Sequence, residues 1–240
     1  MRFTKHALLA SIAASTLIPS LAHAQEADDG AEAEEIIVTA RRQNERLVEV
    51  PASVSVIDAD SLSKTGADNA QGFAQLTPGV TIVTGTAEAG DTQINIRGIN
   101  GARDAESSVA LVVDGILKTN TAQLNQTQGT LRQIEILKGP QGAIYGRNAA
   151  AGAIVISTVK PGDALEGAVK LSYANEKTID GSAYIAGPLG DGVGFVLSGN
   201  YRTTDGFYRN LFLDRKVVDD QEVYSIDGRV IAQLGDATNL

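Results

Sequence analysis

From Ala52 onward, apolar and polar positions alternate along the chain in runs of two lengths, short as far as Thr158 and longer beyond Pro161. In Ala52–Ile57, Val54 and Val56 fall on one face and Ser53 and Ser55 on the other, the period of a strand. Asp58-Ala59-Asp60-Ser61 supplies helix-start residues ahead of Leu62, and this helix is predicted to end near Gly66. A second helix is predicted over Asn69–Leu76, with Phe73 and Leu76 on one face and Pro78-Gly79 as its stop. Further strands are predicted at Val80–Val83, Thr92–Ile99, Val109–Val113, Leu131–Leu137 and Ala153–Thr158. In the second of these, Ile94 and Ile96 continue across Arg97-Gly98 to Ile99. Asp114-Gly115 reads as a tight turn from which Ile116 opens the return strand. The sum is an α+β domain over 50–161, a small mixed sheet with short helices.

After Lys160-Pro161-Gly162-Asp163 the alternation lengthens. Val169, Leu171 and Tyr173 oppose Lys170 and Ser172. Val193, Phe195, Leu197, Gly199 and Tyr201 oppose Ser198, Asn200 and Arg202. Tyr224, Ile226, Gly228, Val230, Ala232 and Leu234 oppose Asp227, Arg229 and Gln233. A short turn is predicted over Gly187–Gly194 and a longer charged connection over Thr203–Gln221. Segments near ten residues, apolar outward and polar inward with tyrosines near their ends, fit the strands of a membrane barrel, although a soluble sandwich alternates similarly. Residues 162–240 suffice for about four to six such strands, whereas closed outer-membrane barrels need about eight and plugged ones about 22. The expectation is therefore the first antiparallel strands of an incomplete transmembrane β-barrel, either the front of a longer chain or a truncated product.

The N-terminus changes the compartment. Arg2, Lys5 and His6 precede a small apolar run, Ala7–Leu21, and Ala22-His23-Ala24 offers the small residues read at a cleavage site, so 1–24 is predicted to be an export signal. Residues 25–49 read as a charged, disordered tether around one apolar segment at 35–40. The only histidines, His6 and His23, leave with the signal, and the chain has no cysteine. That removes the familiar His- and Cys-dependent nucleophilic sites and the usual zinc ligand sets; no catalytic residue, metal site or cofactor is predicted. Asp58 and Asp60 do not make a calcium loop, because Ser63 stands where its glycine is needed. Net charge is −9, from 20 basic and 29 acidic residues, and −11 (18 against 29) without Arg2 and Lys5. An acidic chain without a basic stripe argues against nucleic acid as a partner.

The apolar segment is Glu35-Ile36-Ile37-Val38-Thr39-Ala40, flanked on its C-terminal side by the charged Arg41–Glu49. A short β-branched strand cannot satisfy its own backbone, so it must borrow an edge, either from a partner protein or from the domain that follows. About a hundred residues downstream lies Leu137–Ser157, Leu-Lys-Gly-Pro-Gln-Gly-Ala-Ile-Tyr-Gly-Arg-Asn-Ala-Ala-Ala-Gly-Ala-Ile-Val-Ile-Ser. Gly139, Gly142, Gly146 and Gly152 predict a folded-over loop packed tightly on something, with Gly98 and Gly115 as turn glycines elsewhere. No Gly-Lys-Ser/Thr follows, so this is not a P-loop, and the acidic surface speaks against a nucleic-acid clamp at Gly139-Pro-Gln-Gly142.

Together, and behind an export signal, these two motifs closely resemble the plug domain of TonB-dependent outer-membrane receptors. The likeness runs over roughly Glu35–Pro161, less specifically beyond, and departs mildly at Ala151, where a second glycine is frequent. It implies an outer-membrane receptor that imports a scarce nutrient, most commonly a ferric siderophore, and no enzyme. Glu35, Ile36, Ile37, Val38, Thr39 and Ala40 would be the TonB box, which the C-terminal domain of TonB engages. Arg97 and Arg147, with Glu135 in the same network, would latch plug to barrel as largely desolvated charges. Apical loops Thr84–Asp91, Asn100–Ser107 and Thr119–Gln128 would offer Arg103, Asn120, Gln123, Asn125 and Gln126 to a ligand, although these residues equally suit a solvated loop. Membrane lipid and the barrel-assembly machinery are further implied partners. A stand-alone plug-like binding module or a non-functional truncation remains the alternative.

Overall fold

The computed structural model describes residues 35–39, 41–65, 70–84, 92–100, 106–125, 130–216 and 219–232. The chain divides into Met1–Glu35 and Ile36–Leu240, and all described strands and helices lie in the second unit. The predicted export signal, residues 25–34 of the predicted tether, Ala40, Gly66, Arg103, Gln126 and Leu234 lie outside the described residues.

Strands β1 (Ile37–Val38) and β2 (Glu45–Arg46) form an antiparallel hairpin ahead of β3 (Ser53–Asp58). Helix α1 (Ala59–Thr65) starts where Asp58 accepts the Ser61 N–H at 2.7 Å, an N-cap that holds the Asp58 carboxyl below its ordinary range. Next come α2 (Ala70–Gln75), β4 (Val80–Thr84), β5 (Thr92–Ile96), β6 (Ile99–Asn100), β7 (Val109–Val113) and β8 (Ile116–Lys118). Then β9 (Leu131–Lys138), the short helix α3 (Gly142–Tyr145) and β10 (Gly152–Thr158) complete this part.

A five-stranded sheet of order β3-β9-β10-β7-β8 is the frame, and only the β10–β7 pair in it is parallel. It is the mixed sheet the sequence predicts. Both of its faces are covered, which explains why β7 (Val-Ala-Leu-Val-Val) and β10 (Gly-Ala-Ile-Val-Ile-Ser-Thr) are apolar without alternating. On one face Leu111, Ile134, Ile136, Ile154 and Ile156 pack with Phe73 of α2 and with Ile82, Ile94 and Ile96 of a second, three-stranded sheet β4-β5-β6. On the other, Ala110, Val112, Leu137, Ala153 and Val155 pack with Tyr145 and Ala149. Each fully buried aliphatic side chain contributes about 1.5–3 kcal/mol relative to exposure, so β9 and β10 are the strands the domain can least do without.

One predicted strand is corrected here. Thr92–Ile99 is not continuous: Arg97 and Gly98 take φ of 54° and 82°, a tight turn that folds Ile99 back opposite Ile96. Periodicity does not see a reversal that keeps the apolar spacing.

Beyond Pro161, β11 (Glu166–Ala174), β12 (Thr178–Gly190), β13 (Val193–Thr204) and, after a small hairpin of β14 (Arg209–Asn210) and β15 (Arg215–Lys216), β16 (Gln221–Ala232) form an antiparallel sheet of order β11-β12-β13-β16. The turn expected over Gly187–Gly194 is tighter, since β12 runs to Gly190 and β13 begins at Val193. Strands of 12–13 residues reach about 40 Å, enough to cross a hydrocarbon core at a tilt. One face exposes Val169, Leu171, Tyr173, Leu197, Tyr201, Tyr224, Ile226 and Val230. The opposite face carries Asp180, Ser182, Asn200, Arg202, Ser225 and Asp227, with Arg202 paired to Asp180 at 2.9 Å. That is the lipid-out, polar-in division of an outer-membrane barrel strand. No described helix is long and apolar enough to cross a membrane.

Candidate functional site

In an extended strand, successive residues turn their backbone N–H and C=O to opposite edges. Ile36 and Val38 turn theirs toward β2, where the Leu47 N–H donates to the Ile36 carbonyl at 2.9 Å and Val38 stands opposite Glu45. Ile37 and Thr39 therefore face the other edge, and there two side chains of β9 meet them. Gln133 Nε2 donates to the Ile37 carbonyl at 3.1 Å. The Thr39 N–H donates to both carboxylate oxygens of Glu135 at 2.9 Å, and the Thr39 hydroxyl donates to Oε1 at 3.0 Å. Gln133 spends a second N–H on Glu135 Oε1 at 3.0 Å. Val38 is 1% exposed and Glu135 0% exposed, so the segment is seated on the sheet, not free beside it.

Burying Glu135 between Ile134 and Ile136 is costly unless its oxygens are satisfied, and Thr39 of the docked segment and Gln133 supply donors. Past the segment, the Arg42 guanidinium lies over the Tyr145 ring, 5.5 Å from its centroid. Burial pushes the Tyr145 hydroxyl up, the Glu135 charge pushes the same way, and Arg42 opposes both. The expectation that 35–40 stands alone between solvated charges is thus corrected. Glu45 and Arg46 provide one edge, and Arg41 closes the hairpin through an ion pair with Glu45 at 3.2 Å.

The three expected latch residues do not share one environment. Arg97 sits exposed in the β5–β6 turn, its N–H donating to the Gly79 carbonyl at 2.8 Å. Its guanidinium lies near Gly139 and near Lys138, whose ammonium burial first and Arg97 second push below the usual lysine range. Arg147 follows α3 and meets Glu106 at 3.4 Å, with side chains 62% and 66% exposed, a bridge of little energetic weight. Both arginines are in turns that leave the sheet's buried faces, so the desolvated environment expected of them is not found among the described residues. Glu135, expected beside them, has its carboxylate on Thr39 and Gln133. Among the six turn glycines, Gly142 opens α3 without a positive φ, while Gly98, Gly115, Gly139, Gly146 and Gly152 have one.

Sequence reasoning missed a polar contact that joins the five-stranded sheet to the β11-β12-β13-β16 sheet. Asp114, at the β7–β8 turn, accepts the Thr158 N–H at 2.9 Å, the Thr158 hydroxyl at 2.7 Å and Arg229 of β16 at 2.9 Å. Arg229 also donates to the Val159 carbonyl at 3.2 Å. The available signal was an arginine on the polar face of a barrel-like strand and an aspartate in a turn, but they lie 115 residues apart. Asp114→Ala would leave the buried Thr158 N–H without its acceptor, at a cost of about 1–3 kcal/mol. The expected readout is faster amide exchange at Thr158. The Arg229 pair, a third exposed on its arginine side, adds less.

In the loop after β8, Asn120 accepts the Ala122 N–H at 2.8 Å with its own side chain, and Thr121 Oγ1 donates to the Thr92 carbonyl at 2.9 Å. This polar segment, Gln123 and Asn125 included, is folded into a turn of 3-10 helix over Thr121–Asn125 rather than left as an open loop.

Residues 46–153 match the family model of the TonB-dependent receptor plug domain. With the mixed sheet, the docked strand and the barrel-type sheet already in place, the chain is similar to TonB-dependent receptors of the outer membrane, most specifically over this plug region. Among curated relatives, it is 29% identical over 205 residues to the vitamin B12 transporter BtuB of Vibrio vulnificus, covering 83% of this chain and 32% of the relative. It is 31% identical over 191 residues to the hemin receptor of Yersinia enterocolitica, covering 73% and 27%. Among solved structures, the ferric yersiniabactin uptake receptor FyuA of Yersinia pestis superposes with a TM-score of 0.66 at 25% identity, over 75% of this chain and 28% of that one. The chain therefore spans about a quarter to a third of the length of the proteins it matches.

Proposed function

We propose that this chain is the working front of a TonB-energised importer: a plug, the strand that TonB engages, and the first strands of the surrounding barrel. The observation that carries the reading is the Ile37–Thr39 segment, docked through its backbone on a plug-family sheet, since a segment held mainly by backbone contacts can be exchanged for another strand. The cargo is read as a ferric siderophore, although the relatives' names extend to vitamin B12 and hemin. TonB's C-terminal domain is the energising partner, lipid and the barrel-assembly machinery the others, and the role is transport rather than catalysis. Arg97 and Arg147 are proposed to meet carboxylates of barrel strands outside this chain.

Deleting Glu35–Ala40 in the receptor that carries this chain tests the reading. Uptake of a ferric siderophore that supports growth should fall to the level of a strain lacking TonB, while binding of that siderophore to the cell surface persists. Uptake unchanged by the deletion would instead favour a plug-like module acting alone.

A further inference from the structure

We infer that Gln133 and Glu135 act as a decoy strand, occupying the edge of Ile37–Thr39 through which a partner strand must join. A residue of a parallel neighbour would give its N–H to one carbonyl and its C=O to the N–H two residues further along. Gln133 Nε2 and the Glu135 carboxylate reproduce that pair of contacts on Ile37 O and Thr39 N, from side chains rather than backbone. The opposite edge is held by β2, so in this state both edges of the strand are spent. An incoming extended strand has to displace one of them. The β9 side chains are the weaker opponent, because displacing them moves two side chains and leaves the hairpin intact, whereas displacing β2 unravels the backbone up to β3.

The consequence, resting on the proposed role of this segment as the TonB contact, is a threshold built into the fold. Only the fraction of molecules with the Gln133–Glu135 cap open binds the partner strand, so apparent affinity is lowered by that fraction. Weakening the cap should raise affinity without adding any contact to the partner.

The test uses the full chain in detergent and the purified C-terminal domain of TonB. Glu135→Gln keeps the shape but loses one acceptor, and Gln133→Met keeps the length of a half-buried side chain without its donors. Each is expected to bind the TonB domain about tenfold more tightly than the parent and to exchange the Thr39 amide correspondingly faster. Gln133→Met keeps the test valid if Glu135→Gln unfolds, with unaltered protease resistance of the sheet as the check. Equal affinity in the parent and in a folded Gln133→Met variant would overturn the decoy. If a free peptide of Glu35–Ala40 also fails to bind the TonB domain, the reading of this segment as the TonB contact fails too.

Discussion

Gly152→Ala is expected to cost the sheet roughly 3 kcal/mol or more, the sum of an overpacking penalty and a strained backbone. Gly152 opens β10 between Lys138 of β9 and Val109 of β7, with φ of 156°. A Cβ built there would lie 2.2 Å from the Leu137 carbonyl oxygen and 3.1 Å from Ile96 Cδ1. The first of these neighbours is backbone of β9, so relief requires β9 and β10 to part at the point where both cores depend on them. Gly142→Ala is the control. Nothing lies within 4 Å of a Cβ there and the residue is helical, so that change should be neutral or mildly stabilising. Denaturant titration of the solubilised chain, with hydrogen exchange along β9 and β10, separates the two. Equal midpoints for Gly152→Ala and parent would mean the close approach at Gly152 is not the constraint it is taken to be.

The contrast between those two glycines shows where sequence stops. The run of glycines after Leu137 announces a tightly packed loop, but spacing alone treats Gly142 and Gly152 alike. Only the neighbour across the strand distinguishes them. The same holds for polar residues in apolar strands. Gln133-Ile134-Glu135-Ile136 reads at once as a strand with two polar positions that need partners, and β9 is where it was expected. The partner of Glu135 is Thr39, 96 residues away and inside a segment whose charged flank argues for solvation. Asp114 and Arg229 are a second case, each ordinary in its own context and meaningful only once the β7–β8 turn is brought to β16. Local period fixes faces, and so the outward residues of β11, β13 and β16 were legible one by one, whereas β12, with Gly181, Gly187 and Pro188 interrupting its alternation, was not. Turn chemistry with unaltered spacing, as at Arg97-Gly98, and pairings across the fold were not.

Ile37→Pro should weaken binding of the TonB C-terminal domain by about tenfold or more and reduce energised uptake accordingly, while the sheet beneath stays folded. The residue's N–H faces the edge away from β2, and the contact its carbonyl makes there, accepting from Gln133 Nε2, is one that proline keeps. Proline on an edge strand with its nitrogen turned outward is tolerated, so the docked state should change little. A strand arriving along that edge, however, loses a ladder donor and meets the ring where it needs close approach, at about 0.5–1.5 kcal/mol for the bond alone. Val38→Pro provides the opposite case, because Val38 faces β2 opposite Glu45, and its loss should unseat the hairpin itself. Titration of the TonB domain against both variants, with amide exchange at Thr39 and Leu47, reports which edge the partner takes. Unimpaired binding by Ile37→Pro beside lost binding by Val38→Pro would assign the partner to the β2 edge. The β9 side chains would then be a cradle that holds the strand during exchange, not the group displaced by it.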